Sequence, residues 1–437
     1  MNDISAKVKA AGVVGGGGAG FPTHAKLEGK AEIFIVNGAE CEPLLRVDQQ
    51  LMAQHAEELV RGLRYGMEAT GAKEGIIALK AKYKPAIAAL EPILPSNVRL
   101  HYLKDVYPAG DEVITIWMAT GRRVPPAKRP GDVGVAVNNV MTLINVARAV
   151  DDGAPVILRP VTVTGAVKTP ITVSVPVGTP MAELVALAGG PSIPNAAYVG
   201  GGPMMGHLLH DLAEPVTKTT SAIIALPEDH IVVRRHRQSM QSVLRIAKTT
   251  CEQCLLCTEL CPRHLIGHEL PPHLIVRSLN YNHVGNPSTL LSALTCSECA
   301  VCEAYACPVD ISPMRVNMAL KAQMREQGLK YEGELRPADP MAEYRLVPIT
   351  RLLHKLAIYQ YSVPAPMLPE VHQPAQVVIK LQQHIGAPSV AVVKVGDKVV
   401  QGQLIGEIPE GSLGARIHAS IDGTVVEVTS AAVTLRR

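Results

Sequence analysis

Two hydrophobic periods alternate through the first third of the chain. AEIFIV (31–36) and GIIAL (75–79) are short unbroken apolar runs, the pattern of strands buried on both faces. Between them, residues 48–69 set Leu51, His55, Leu59 and Leu63 along one face, which predicts an amphipathic helix. GDEVITIWMATG (110–121) and NNVMTLINVARAV (138–150) predict two further helices. Strand and helix signals in alternation indicate an α/β layer.

The pattern changes near residue 156. VILRPVTVTGAVKTPITVSVPVG alternates β-branched and small residues, broken at Gly165 and Pro170, and MAELVALAGG predicts a short helix ended by glycine. Two strands and a helix suggest a small α+β ligand-binding or docking domain. Residues 245–325 carry helical segments, and 330–365 read as a linker with helical patches. From residue 366 the chain is β again. VVKVGDKVVQGQLIGEI and IHASIDGTVVEV are strands parted by Gly-Asp, Gln-Gly and Asp-Gly turns, the pattern of a flattened biotinyl- or lipoyl-type barrel sandwich. HASIDG stands where a carrier lysine would sit, so a structural role is expected rather than a swinging arm.

Composition narrows the class. A chain of 437 residues, 47% hydrophobic and 19% charged, has material for several real cores. A net charge of +3 makes no case for nucleic acid. The tightest basic group, Arg234, Arg235, His236 and Arg237, reads as a solvated linker rather than a binding patch. No apolar run reaches the roughly 18 residues of a membrane span. MNDISAKVKAAG lacks the apolar core of a signal peptide. A soluble, cytoplasmic protein without a membrane span is expected, and attachment to a membrane complex through a partner stays open.

Eight of the nine cysteines fall in two groups, and Cys41 stands alone. Cys251, Cys254, Cys257 and Cys261 form C-x2-C-x2-C-x3-C followed by Pro262, the bacterial ferredoxin run. Cys296, Cys299, Cys302 and Cys307 repeat it with one extra residue before the last cysteine and with Pro308 after it. Gaps of two let three thiolates from one turn reach three corners of a cubane, and the fourth corner needs a thiolate from elsewhere. In two-cluster ferredoxins each fourth cysteine serves the other cluster. That rule gives one cluster Cys251, Cys254, Cys257 and Cys307, and the other Cys261, Cys296, Cys299 and Cys302; the extra residue leaves the crossing of Cys307 open. Structural zinc also uses C-x2-C pairs, although usually as two pairs parted by a longer loop. The insert between the runs, with PPHLIVRSLN, suggests a helical ferredoxin domain, and His264, His268 and His273 read as surface or packing histidines.

GGGGAG (15–20) satisfies G-x-G-x-x-G, but the segment before it reads as helix or coil and Phe21-Pro22 follows at once, against a Rossmann turn. Successive glycines still let backbone N–H groups approach a phosphate.

GGGGAGFPTHAKL (15–27), VNGAECEP (36–43), YPAGDE (107–112) and NNVMTLINV (138–146), in that order, resemble the flavin-site segments of the complex I 51-kDa subunit, and among its relatives most resemble the RnfC protein of the Rnf electron-transport complex. In RnfC the biotinyl-like domain comes first; here it comes last, an order similar to that of the cobalamin reductases of propanediol-utilisation microcompartments. This resemblance implies a multidomain α/β and α+β protein. It would comprise a complex I 51-kDa-like FMN/NADH domain at 1–152 and a soluble-ligand-binding β-grasp domain at 153–230. A helical two-[4Fe-4S] ferredoxin domain at 240–330, a linker at 331–365 and a biotinyl/lipoyl-like β domain at 366–437 would follow.

By the same resemblance Gly16, Gly17 and Gly18 would approach the FMN phosphate and Lys26 would pair with it. Asn37, Glu40 and Glu42 would line the isoalloxazine and nicotinamide side. Tyr107, Gly110 and Asp111 would border the flavin, and Asn138 and Asn139 would meet the phosphate or ribityl chain. The acidic loop departs from the family at Ala39 and Cys41, where aspartate and glycine are usual. The implied activity is an NADH-dependent oxidoreductase, passing electrons through FMN and two [4Fe-4S] clusters to a corrinoid. A corrinoid adenosyltransferase and microcompartment shell proteins are implied partners, and Ile4, Val8 and Ala11 are the candidate face of an encapsulation helix. An NADH:ferredoxin or Rnf-like subunit, and a non-enzymatic iron–sulfur relay, remain as alternatives.

Overall fold

The computed structural model describes residues 2–281 and 286–437. Strands Ile33–Gly38, Glu74–Lys80, Val98–Leu103 and Val135–Asn139 form a parallel sheet in the spatial order third, second, first, fourth. Its apolar runs are buried on both faces. Phe34, Val36, Ile77 and Leu79 share a core with residues of helices Ala56–Thr70 and Val140–Asp151. Ile35, Ile76, Ala78 and Val137 share another with helix Glu112–Thr120. The strand order reverses between Ile33–Gly38 and Val135–Asn139. In open α/β sheets the carboxyl ends of strands at such a point flank a ligand crevice.

Several expectations are altered by packing. The helix predicted at 48–69 is two helices, Val47–Gln54 and Ala56–Thr70, broken at His55. The His55 ring bonds Glu58 rather than joining the apolar face. The face of Ile4, Val8 and Ala11 is not free for docking; all three lie in the first core, as the helix Asp3–Ala10 packs inward. The basic group is no solvated linker. It ends the helix Ile231–Arg237, whose Val232 and Val233 are buried, and Arg235 faces Glu303 and Asp310.

A second sheet runs Ile171–Pro176, Leu158–Gly165, Ala222–Pro227, Ala196–Gly200, His207–Leu208, with the helix Met181–Leu187 on its core. Helices Met240–Thr250, Pro272–Tyr281 and Pro313–Glu326 pack around Val243, Ile275 and Val316, together with Cys261 and Cys307. The stretch 331–365 is a packed strap. Its strand Val347–Pro348 pairs with Val106–Tyr107, and Leu352, Leu356 and Ile358 are fully buried. The C-terminal segment forms two facing small sheets around Val377, Ile379, Ile405 and Leu435. Its HASIDG corner points inward: Ser420 and Ile421 are buried, and the Ser420 hydroxyl donates to the Val177 carbonyl. Buried Lys218 ties three distant segments by donating to the carbonyls of Gly12 (2.7 Å) and Arg416 (2.8 Å). Among the described residues no helix is long and apolar enough to cross a membrane.

Candidate functional site

The glycine-rich segment closes on itself as a loop, with Val14 bridged to Pro22 and the Gly15 N–H donating to the Phe21 carbonyl. It lies over the crevice at the reversal point. The Gly16 N–H donates to Thr142 Oγ1 (2.9 Å), and Arg159 donates to the Gly16 carbonyl (2.8 Å). A Cβ at Gly17 would meet Asn139 at 2.9 Å, whereas one at Gly18 would meet nothing. Only glycine lets the loop sit this close to Asn139 and remain open on its outer side. Asn139 caps helix Val140–Asp151 through the Met141 N–H. Asn138 is 5% exposed, and its amide nitrogen has no partner among the described residues. An unpartnered buried donor beside a helix N-terminus, under an open glycine loop, fits an anionic, oxygen-rich ligand. Lys26 stands nearby, paired with Glu112.

The acidic loop lies at the same carboxyl end. Asn37 donates to the Gly110 carbonyl (2.8 Å). Glu40 has φ of 36° and accepts from the Asp48 N–H (2.7 Å) and the Gln49 amide (2.8 Å). Asp48, in turn, accepts from Asn139 (2.7 Å). Burial raises the pKa of Glu40, and burial with the nearby Glu40 charge pushes Asp48 up to about 7. Arg159 is the buried cation of this group, lowered to about 10 by desolvation. Sequence reasoning missed Asp48 and Arg159, which lie in segments that carry no motif. Glu42 has partners in the second sheet's loop: its carboxylate accepts from the N–H groups of Met204 (3.1 Å) and Met205 (2.9 Å). Gly202 makes room, since a Cβ there would meet Glu42 Oε2 at 2.0 Å. Burial pushes Glu42 up to about 7.

The eight clustered cysteines surround two cavities. Cys251, Cys254, Cys257 and Cys307 line one, and Cys261, Cys296, Cys299 and Cys302 line the other. Cys254 is exposed, while Cys261, Cys299, Cys302 and Cys307 are buried. Gln253 and Leu255 in the first run, and Glu298 and Ala300 in the second, all take positive φ, between 51° and 66°. Such left-handed backbone in side-chain-bearing residues is strained, and its recurrence at matching places bends each run around its cavity. Backbone N–H groups then reach sulfur: Glu298 to Cys296 (3.4 Å) and Ile311 to Cys307 (3.2 Å). Burial raises the thiols of Cys257 and Cys261 to about 12, so ionised sulfurs here need bound metal beside them. The thiols of each group ring a cavity, the arrangement a four-iron cluster takes. His273 lines the first cavity and bonds Thr258 (2.7 Å). His268 is buried against the Val124 carbonyl (2.8 Å). Cys41 lines neither cavity; its thiol packs beside Gly110 and burial pushes it up to about 12.

The crevice and the second cavity share a wall. The Tyr107 hydroxyl, beside Glu42, donates to the Cys299 carbonyl (2.9 Å). Asp111 accepts from Arg263 (2.9 Å), which lines the second cavity.

Comparison with known proteins agrees with this anatomy. Residues 8–148 match the Nuo51 FMN-binding domain, 160–207 the SLBB domain, 250–312 a 4Fe-4S dicluster domain and 361–436 the RnfC barrel sandwich hybrid domain. The chain is 57% identical over 436 residues to the cobalamin reductase PduS of Salmonella typhimurium, covering 100% of this chain and 97% of that protein. The chain belongs to the cobalamin reductase PduS family. The PduS of Citrobacter freundii is 55% identical, covering 99% of this chain and 96% of its own length. One subunit of the Na(+)-translocating ferredoxin:NAD(+) oxidoreductase complex of Acetobacterium woodii is 36% identical over 60% of this chain and 58% of its own length. A chain of an NAD+-reducing [NiFe]-hydrogenase shares the fold, with a TM-score of 0.50, 22% identity, and coverage of 78% of this chain and 67% of that one. The resemblance to the complex I 51-kDa and RnfC proteins thus holds, as does the expected multidomain fold class. This PduS-family chain is an oxidoreductase whose cofactors are FMN and two four-iron clusters.

Proposed function

We propose that this chain is an NADH-dependent reductase that delivers electrons to a corrinoid, lowering cobalt from the +3 or +2 state toward the +1 state used in adenosylation. The name of its full-length relatives supports the acceptor, and the FMN-domain match supports NADH as donor. FMN, when bound, supplies the change from two-electron hydride to single electrons that four-iron clusters carry. The chain's own task is to hold, orient and exclude water. In this proposal Gly16, Gly17, Gly18, Asn138, Asn139 and Lys26 hold the phosphate and ribityl end. Asn37, Glu40, Gly110 and Asp111 border the ring, while Glu42 and Tyr107 lock the neighbouring domains against that edge. Cys251, Cys254, Cys257 and Cys307 ligate the first cluster, and Cys261, Cys296, Cys299 and Cys302 the second.

One observation carries the route. The Tyr107 hydroxyl on the Cys299 carbonyl supports a second cluster beside the crevice, and exposed Cys254 supports a first cluster nearer solvent. In this proposal electrons would leave the crevice by way of the Cys261, Cys296, Cys299 and Cys302 site and the protein by way of the Cys251, Cys254, Cys257 and Cys307 site. We extend the proposal to a cytoplasmic site within a bacterial microcompartment, with a corrinoid adenosyltransferase and shell proteins as partners.

A second reading, an Rnf-like NADH:ferredoxin subunit, is supported by the identity with the Acetobacterium woodii protein. Anaerobic protein with NADH, offered cob(II)alamin and ferredoxin separately and followed by visible absorbance, distinguishes the two. Cobalamin reduction outpacing ferredoxin reduction is expected. Reduction of ferredoxin with cobalamin untouched would transfer the assignment to the Rnf-like reading.

A further inference from the structure

The two cluster cavities differ in what their walls offer. The first is lined, besides its cysteines, by the apolar Leu255, Val276, Pro308, Val309, Ile311 and Pro313 and by Glu252, Gln253 and His273, and none of these lining residues leaves a buried side-chain polar atom without a partner. The second is lined by Arg263, Ser297 and Asn317, and each has such an atom: Arg263 Nε, Ser297 Oγ, and both amide atoms of Asn317. Asn317 is 1% exposed. Both of its amide atoms are buried without a hydrogen-bond partner among the described residues. With neither amide atom engaged, it can turn its NH2 toward the cavity.

Unpartnered buried donors are costly, about 1–3 kcal/mol each, and three around one small cavity point to a shared acceptor inside it. We propose that Asn317, Ser297 and Arg263 donate hydrogen bonds to the sulfurs of the second cluster and make it the more easily reduced of the two. The electron added on reduction increases the negative charge on sulfide and thiolate, so donors aimed at them stabilise the reduced form more than the oxidised form. Other charges nearby are balanced. Lys321 donates to the Glu298 carboxylate (2.6 Å) and to the Cys296 carbonyl (2.8 Å). Asp111 offsets the charge of Arg263 without occupying its Nε, and Glu303 is faced by Arg235 and Arg315. Backbone N–H groups add to the side-chain donors in the same direction: those of Arg263 and His264 favour the Cys261 sulfur, that of Glu298 Cys296 and that of Val301 Cys299, while at the first cavity those of Val309 and Ile311 favour Cys307. With these donors the Cys261, Cys296, Cys299 and Cys302 site would favour holding an electron beside the crevice.

This inference rests on the ligand sets proposed above, which iron analysis tests separately: parent protein should hold about eight irons. The inference itself is tested by redox titration of the anaerobic holoprotein, followed by electron paramagnetic resonance. Two one-electron waves are expected. Asn317→Leu should lower the upper wave alone, raising the oxidised-to-reduced ratio at the parent's upper midpoint about tenfold, or ~59 mV. Ser297→Ala should shift the same wave in the same direction by less. It removes a single hydroxyl, so it decides the matter if Asn317→Leu fails to retain its iron. Unmoved waves at full iron content, or a shift confined to the lower wave, would overturn the proposal.

Discussion

Asp111 performs two separable tasks, which makes its substitution informative. Its Oδ1 caps the helix Glu112–Thr120 by accepting from the N–H groups of Val113 (3.0 Å) and Ile114 (3.1 Å). Its Oδ2 accepts from Arg263 Nη2 at 2.9 Å, and the two side chains are only 11% and 13% exposed. Asparagine caps a helix about as well as aspartate. Asp111→Asn therefore keeps the cap and leaves the Arg263 charge buried without its counter-charge. Breaking a buried pair from one side costs about 3–5 kcal/mol. Asp111→Ala adds the lost cap, ~1 kcal/mol. Asp111→Asn with Arg263→Met removes both charges and should lie closer to the parent than the sum of the single changes. Chemical denaturation under argon, with FMN and iron monitored, gives the ranking. Midpoints of the first transition are compared, because a multidomain cofactor protein is not two-state. The pair also holds the flavin layer against the loop of Cys261. Asp111→Asn should consequently slow NADH-driven cluster reduction while NADH-driven reduction of a small dye persists. Parent-like midpoints and parent-like cluster reduction in Asp111→Asn would refute this reasoning.

Other expectations follow from the same geometry. Cys254→Ser and Cys307→Ser should extinguish one and the same cluster signal, and Cys261→Ser and Cys299→Ser the other, each lowering iron from about eight toward about four per chain; Cys307→Ser removing the second cluster would break the proposed pairing. Asn138→Ala should lower FMN occupancy several-fold with iron unchanged, read by released-flavin fluorescence, since it deletes the unpartnered buried donor of the crevice. Glu42, raised by burial to about 7 from 4.5, contributes stability that is full below about pH 4.5 and lost as pH rises through 7. The thermal midpoint of the parent should thus fall more between pH 5.5 and 8 than that of Glu42→Gln, which cannot ionise; parallel profiles would show that Glu42 does not titrate in this window.

Local pattern alone determined a good deal. Short apolar runs at 31–36 and 75–79 made central strands, because a parallel strand covered on both faces has no polar side to show. The cysteine spacing made two bent runs, because three thiols two residues apart can share one turn. What pattern could not decide were matters of partnership between distant residues. VAVNN (135–139) is too short to announce a strand, yet it supplies Asn138 and the crevice wall once it pairs with 33–38. Asp48 and Arg159 belong to no motif, and only the closing of Gly16 onto Arg159 and of Asn139 onto Asp48 makes them part of the site. Glu42, expected at the crevice, also seats the Met204–Met205 loop, because two backbone N–H groups arrive there from another sheet. Residues 331–365 read as a linker, but their apolar side chains become a strap when Val347 pairs with Tyr107. Turns and strand faces depend on neighbours within a few residues, so the linear chain displays them. A buried donor's acceptor, or the side of a domain that meets a cluster, depends on loops closed over tens to hundreds of residues, and only the packed structure supplies that information.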